Sequence, residues 1–420
     1  MSSSAKEEFL AGMDYLSVIT SRIFLYPFLG RSKTKLLCYY FICSLIIFAS
    51  FQQFVFLCVS KLNSFLDIVN IAPNIGVCAM SVTKYIKVNS NKELYNLIFV
   101  HFRTDMWDIV SEKCQENVKI LKRYQKIIHF ITIWFVYYVV PLILIVTSFP
   151  ILIMYYDNMV LGKELEHRYP FEAWYPFDKV KWYYAAYAWE SFITGLVVCI
   201  YTFSDLINVS YVAYICLELK LLGTHLKELI GAEDIKQLKS SQNATAIHYK
   251  IRQKLRGYII KHNFLANISS QLDIIFGDIM LVNYTFGSVF MCLTAFTFTV
   301  TDELYTTLRC FFFLISLVIS MLNQCVIGQC VSDHSEQLTQ ALYDSKWTYG
   351  DRQTRQLVLM LIMRMQKPFQ LTAKGYIAMN LDTFTTVLLS LSLSVSVSEM
   401  AAYARDRGYH LLIFILYLCS

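Results

Sequence analysis

Apolar residues in this chain gather into long runs instead of alternating with polar ones. The clearest runs cover residues 36–59, 65–83, 127–156, 183–215, 267–300 and 307–327, and a seventh follows Met379. About twenty such residues cross the hydrocarbon core of a bilayer as a helix. A membrane β-barrel would need segments of about ten alternating residues divided by turns. The pattern therefore predicts an all-α polytopic membrane protein with seven transmembrane helices. The 65–83 run is the weakest, because it carries Asp67, Asn70, Pro73 and Asn74. Between the fourth and fifth runs, Leu219, Leu222, Leu226, Leu229 and Ile230 recur at three- and four-residue spacing. Ile247, Ile251, Leu255, Tyr258 and Ile259 do the same beyond a polar break, so two amphipathic helices are expected to extend spans four and five.

Composition and charge fix the environment and the direction. Hydrophobic residues make up 56% of the 420 positions and charged ones only 16%, against about 25% charged in a soluble domain. With seven spans, 29 of the 37 lysines and arginines fall on the side of the N-terminus and of loops 84–126, 216–266 and 328–374. Basic loops stay inside, so the N-terminus is expected in the cytoplasm and the C-terminus outside, the reverse of a G-protein-coupled receptor. Residues 1–35 lack the apolar core of a signal peptide. Basic residues of loop 216–266 can meet anionic lipid headgroups or form a solvated helix face. No pattern there points to nucleic acid.

Catalytic and phosphate-binding motifs are absent from the sequence, and no enzyme activity and no cofactor are expected. The twelve cysteines are scattered through apolar runs without a Cys-x-x-Cys pair, which argues against a metal site and for packed free thiols. Ionisable residues inside spans are costly and often functional. Glu190, Asp205, Asp273, Asp278 and Asp382 are the candidates, the three middle aspartates being readable as solvated or paired with loop lysines. Glu190 sits among Tyr184, Tyr187, Trp189 and Phe192 in the outer third of span four. Such aromatics serve as an interfacial belt or as the wall of a pocket for a small apolar molecule. Phe149, Met154, Phe312 and Ile315 lie at the same expected depth.

The stretch Leu342–Leu388 combines Tyr343 and Trp347 before a charged turn, an apolar helix, Lys367-Pro368, Leu371-Thr372-Ala373, Gly375 and the entry into the last span. In order and spacing it resembles the C-terminal signature of insect odorant receptors. The resemblance implies a ligand-gated, non-selective cation channel at the plasma membrane of olfactory neuron dendrites. It also implies that a variable subunit binds a small volatile apolar ligand and joins a co-receptor in a heterotetramer among membrane lipids. The subunit anchor would use Tyr343, Trp347, Arg364, Lys367 and Pro368, within the cytoplasmic ends of spans four to six and the segment Arg352–Gln370. Loop 216–266 is shorter than the co-receptor's, which points to a tuning subunit. The alternatives are a seven-helix chemoreceptor of the G-protein-coupled type and a membrane transporter.

The last run, "LDTFTTVLLSLSLSVSVSEM" (381–400), places Thr383, Thr386, Ser390, Ser394 and Ser398 on one helical stripe with Asp382 at its edge. That stripe suits a water-facing pore wall, and the resemblance implies a gate at Val397 and Ala401, where an apolar ring can close by dewetting. Beyond Leu389 the sequence departs from the family pattern. The expected organisation is a cytoplasmic N-terminus (1–35), spans one to four with the pocket (36–215), a cytoplasmic helical loop (216–266) and spans five and six (267–327). A cytoplasmic loop and anchor (328–378), a last pore helix (379–401) and an atypical tail (402–420) follow.

Overall fold

Each long apolar run closes its own backbone hydrogen bonds as a helix, as an isolated segment must in lipid. The structure, a computed structural model, describes residues 2–25, 33–59, 65–108, 115–160, 162, 167–240, 244–300, 304–390 and 392. In chain order the helices are α1 (Ser2–Arg22), α2 (Lys33–Val59), α3 (Phe65–Ser90), α4 (Lys92–Thr104), α5 (Gln115–Met159) and α6 (Tyr183–Lys227). They continue as α7 (Ala232–Lys239), α8 (Ala244–Val300), α9 (Leu304–Tyr343) and α10 (Arg352–Met365). A two-stranded hairpin, β1 (Thr372–Ala373) and β2 (Ile377–Ala378), leads into α11 (Leu381–Ser390).

Among the described residues five helices, α2, α5, α6, α8 and α9, are long and apolar enough to cross a membrane. Helices α5 and α6 have 45 residues each and α8 has 57. At 1.5 Å per residue they run to roughly 68 and 86 Å, more than twice the roughly 30 Å hydrocarbon core, so their ends must stand clear of it. The break between α6 and α8 holds α7, whose first turn is closed by Asp234 accepting from the Gly231 amide at 3.1 Å.

Helix α6 forms the axis of the bundle. Nearly every residue from Thr202 to Leu222 is buried, and it packs against α3, α5, α8 and α9, the pattern of a helix surrounded on all sides. Helices α2 and α5 instead turn large side chains outward, including Phe41, Phe51 and Phe54 of α2 and Phe130, Tyr137 and Leu144 of α5. A band of this kind is expelled by water and suits acyl chains.

At the end of the bundle where α4, α7 and α10 lie, polar groups tie the helices. Glu218 of α6 is buried, meets His101 of α4 at 3.1 Å and pairs with Lys261 of α8. Asp351 caps α10 by accepting from the Thr354 amide at 3.0 Å and pairs with Arg252 of α8. The β-hairpin then folds onto α8 and α9. Its turn holds Lys374 and Gly375 at φ of 57° and 78°, a region that costs glycine little. Asp273 of α8 accepts from the Thr372 amide and hydroxyl, and Asp278 pairs with Lys87 and with Lys374. These two aspartates thus serve as struts.

Candidate ligand cavity

At the opposite end the helices splay around a cavity of about 200 Å³. Its walls come from α2, α3, α5, α6, α8 and α9, with Pro170 and Phe171 of segment 167–182 at the mouth. Prolines lie in two of its walls. Pro73 sits within α3, Pro141 and Pro150 sit within α5, and Pro73 and Pro150 line the space. A proline removes one rung of the helix ladder, and in the same turn as Pro150 the Thr147 carbonyl accepts from the Tyr187 hydroxyl.

One side is aromatic and aliphatic, with Phe135, Tyr138 and Phe149 of α5 and Phe312, Phe313 and Leu317 of α9. The floor is polar. Lys84 of α3, buried, reaches both carboxylate oxygens of Asp205 at 2.8 Å and lies 3.2 Å from the centre of the Tyr201 ring. The Tyr201 hydroxyl shares a 2.8 Å hydrogen bond with Ser320. Asp205 is thus paired inside the bundle with Lys84, which the sequence places at the start of loop 84–126 and the structure places within α3.

Segment 167–182 closes the top. The Trp174 amide donates to the Gln52 carbonyl, and the Tyr305 hydroxyl donates to the Tyr169 carbonyl. The Tyr305 ring stacks on Phe149 at 5.8 Å. Beneath this cover Glu190 is fully buried, accepting from Tyr175 at 3.0 Å and facing Lys179 at 3.3 Å. Lys179 also lies 3.6 Å from the Tyr169 ring centre. Burial, then the nearby Glu190 charge, pushes the Tyr169 hydroxyl up to about 12.

Of the residues expected at a pocket, the structure brings Phe149 and Phe312 to the cavity wall. Met154, Tyr187, Trp189 and Glu190 do not line it: Met154 and Tyr187 pack with Tyr169 and Tyr183, Trp189 donates to Gln52 at 3.1 Å, and Glu190 accepts from Tyr175. Tyr184, Phe192 and Ile315 do not line it and are exposed on the outer surface. On α6 the inward face repeats as Tyr187, Glu190, Thr194, Val197 and Tyr201, and a 100° step puts Phe192 on the far side. Gln53, Tyr201, Asp205 and Thr294 were not expected at the cavity. Polar residues set at helical spacing within apolar runs are the signal that could have found them.

Among the expected pore residues, Asp382, Thr386 and Ser390 share the exposed face of α11, opposite Val387. The Thr386 and Ser390 hydroxyls donate back to the carbonyls of Asp382 and Val387. Ser394, Val397 and Ala401 lie outside the described residues. Of the anchor residues, Tyr343, Arg364 and Lys367 are exposed, while Trp347 and Pro368 are half-buried.

A family model described as 7tm Odorant receptor matches residues 74–391, three quarters of the chain. The chain belongs to the 7tm odorant receptor family. Its match stops two residues beyond Leu389, where the sequence departs from the family pattern. Among relatives of this odorant receptor, the putative odorant receptor 85d of Drosophila melanogaster is 22% identical over 228 residues, 54% of this chain and 52% of that one. Odorant receptor 13a of the same fly is 22% identical over 255 residues, 57% and 59% of the two chains. The matched region thus spans little more than half the length of these relatives. The insect olfactory receptor OR5 of Machilis hrabei, solved in complex with eugenol, superposes with a TM-score of 0.76 at 15% identity, covering 94% of this chain and 99% of that one. The receptor therefore has the insect olfactory receptor fold and is a multi-pass membrane protein.

Proposed function

We propose that this receptor is the odorant-binding subunit of a ligand-gated, non-selective cation channel, assembled with a co-receptor as a heterotetramer in the plasma membrane of olfactory neuron dendrites. It crosses the membrane seven times, with the N-terminus in the cytoplasm and the C-terminus outside. The observation that carries the reading is an aromatic-walled cavity among the long apolar helices of a chain of the odorant receptor family. A protein of the same fold was solved in complex with eugenol. A 150 Å³ apolar cavity accepts benzene, so 200 Å³ suits one ring with a short substituent.

Affinity comes chiefly from removing the ligand from water. Burying about 250 Å² of apolar surface at about 25 cal/mol per Å² contributes roughly 6 kcal/mol, from which association costs are subtracted. Binding opens the pore only as far as the open state holds the odorant more tightly than the closed one. Helix α9 links the cavity to the base, since it carries Phe312 and Ser320 at one end and packs on α10 at the other. On α10, Leu359, Met360 and Met363 are exposed apolar side chains, which supports a subunit contact there.

The test is expression with and without an insect co-receptor, an epitope tag at the N-terminus, and current recording against an odorant panel. Odorant-evoked cation current only with the co-receptor, and tag staining only in permeabilised cells, are expected. Staining of intact cells or a response that needs G protein would overturn the proposal.

A further inference from the structure

Segment 167–182 forms neither helix nor strand up to the start of α6, yet it is pinned to four of the helices around the cavity. Arg168 meets Asp157 of α5 at 3.2 Å, and the Trp174 amide donates to the Gln52 carbonyl of α2 at 3.2 Å. The Tyr305 hydroxyl of α9 donates to the Tyr169 carbonyl at 3.2 Å, and Glu190 of α6 holds Tyr175 and Lys179. Between these points Pro170 and Phe171 line the cavity.

The hold on α6 differs from the others. Gln52 and Tyr305 each contribute one neutral hydrogen bond, and the Arg168 and Asp157 side chains keep some contact with solvent. Glu190 is an acid with 0% exposure, and its side-chain partners among the described residues both come from the segment. The Tyr175 hydroxyl at 3.0 Å and the Lys179 ammonium at 3.3 Å converge on the same oxygen, Oε1. Charge-assisted bonds are about twice as strong as neutral ones, and a buried charge stripped of its partner is costly. Lifting the segment strips Glu190 of both partners at once. The segment is also closed on itself. The Tyr169 hydroxyl donates to the Lys179 carbonyl at 3.1 Å, and the Lys179 ammonium lies 3.6 Å from the Tyr169 ring centre. A pull at Lys179 therefore reaches Tyr169 and the Pro170–Phe171 pair beside it.

We infer that segment 167–182 is a lid on the cavity and that Glu190 is its catch, setting how fast a small apolar ligand enters and leaves. The inference rests on the odorant-binding reading and adds the control of that site. Glu190, Tyr175 and Lys179 do not line the cavity, so the catch holds equally well with the ligand in or out. Glu190 is thus a positioning residue. Weakening the catch speeds entry and exit by the same factor and leaves affinity alone, whereas a change in the cavity wall alters affinity.

The test uses the purified full-length receptor in lipid nanodiscs and the tightest binder of a panel of one-ring volatiles that includes phenylethanol, benzyl methyl ether and propylbenzene. Stopped-flow fluorescence gives the association and dissociation rate constants, and equilibrium titration gives Kd. Glu190→Gln and Tyr175→Phe should each raise both rate constants about tenfold or more, the loss of one hydrogen bond to a charged group, with Kd held within about twofold. Glu172→Gln, which removes a partner of Lys179 that is 46% exposed, should leave both rates within about twofold, as expected of a surface pair. If Glu190→Gln does not fold, Tyr175→Phe decides, since it removes a single hydroxyl. Unchanged rates in the variants that fold, or faster dissociation alone with weakened binding, would overturn the inference and leave the odorant-binding reading standing. Failure of the whole panel to bind the wild type would overturn both.

Discussion

Lys84 sits one residue past the second apolar run and reads from the sequence as a loop charge, yet it is fully buried in the fold. Lysine is almost never so placed without a partner, and Asp205 supplies one. Removing one member of a buried pair costs about 3–5 kcal/mol, because the other charge is left uncompensated. Lys84→Met and Asp205→Leu should therefore each lower thermal stability, and the double variant should recover most of the loss in a melting curve. A double variant that loses the sum of both would show that the pair is not a unit. Asp351 offers a pH test outside the membrane-spanning segments. Burial raises its pKa, but the Thr354 hydrogen bonds and the Arg252 charge outweigh that and hold it below the usual carboxylate value. A depressed folded pKa means stabilisation that is complete above the unfolded value of about 3.9 and lost as pH falls through the lower folded value. Asp351→Ala should thus cost about 1 kcal/mol at pH 7 as a lost helix cap, and the gap to wild type should close in acid; a gap that persists unchanged at pH 3 contradicts the assignment. At this scale the sequence revealed the aromatic character of the cavity wall, as with Phe149 and Phe312. It did not reveal the partner of Lys84, which lies 121 positions away and is brought near only by packing.

Among elements, the long helices were legible because each satisfies its own backbone and announces itself by an unbroken apolar run. The 371–379 hairpin was not. Its strands are two residues long, too short for any alternation to register, and they are held by non-local contacts. Met379 donates to the Leu371 carbonyl, and Asp273 grips Thr372 from α8. Two glycines permit the close approach. A Cβ on Gly328 of α9 would stand 2.0 Å from the Met379 carbonyl oxygen, and one on Gly277 of α8 would stand 2.9 Å from the Lys374 nitrogen. Since backbone cannot yield as a side-chain tip can, Gly328→Ala should destabilise by at least about 1–3 kcal/mol. Gly257→Ala is the control. It meets nothing within 4 Å on α8 and should be neutral or stabilising by up to about 1 kcal/mol. Melting curves that fail to separate the two would contradict the docking of the hairpin.

For the whole molecule, the basic ends of α3, α6 and α8 gather on the side where α10 and the hairpin lie, and the aromatic cavity opens at the other. Under the proposed function, the ligand would enter at the cavity end and the response would pass along α9 to a base where subunits meet. Val197 of α6 tests the cavity itself, being buried and part of its wall. The most direct measurement is the odorant concentration–response of co-receptor currents for the wild type and Val197→Phe, at matched surface expression. A phenyl ring there fills space the ligand needs, so the half-maximal concentration is expected to rise at least about tenfold, equal to roughly 1.4 kcal/mol of lost binding. An unchanged concentration–response in Val197→Phe would place odorant binding somewhere other than this cavity.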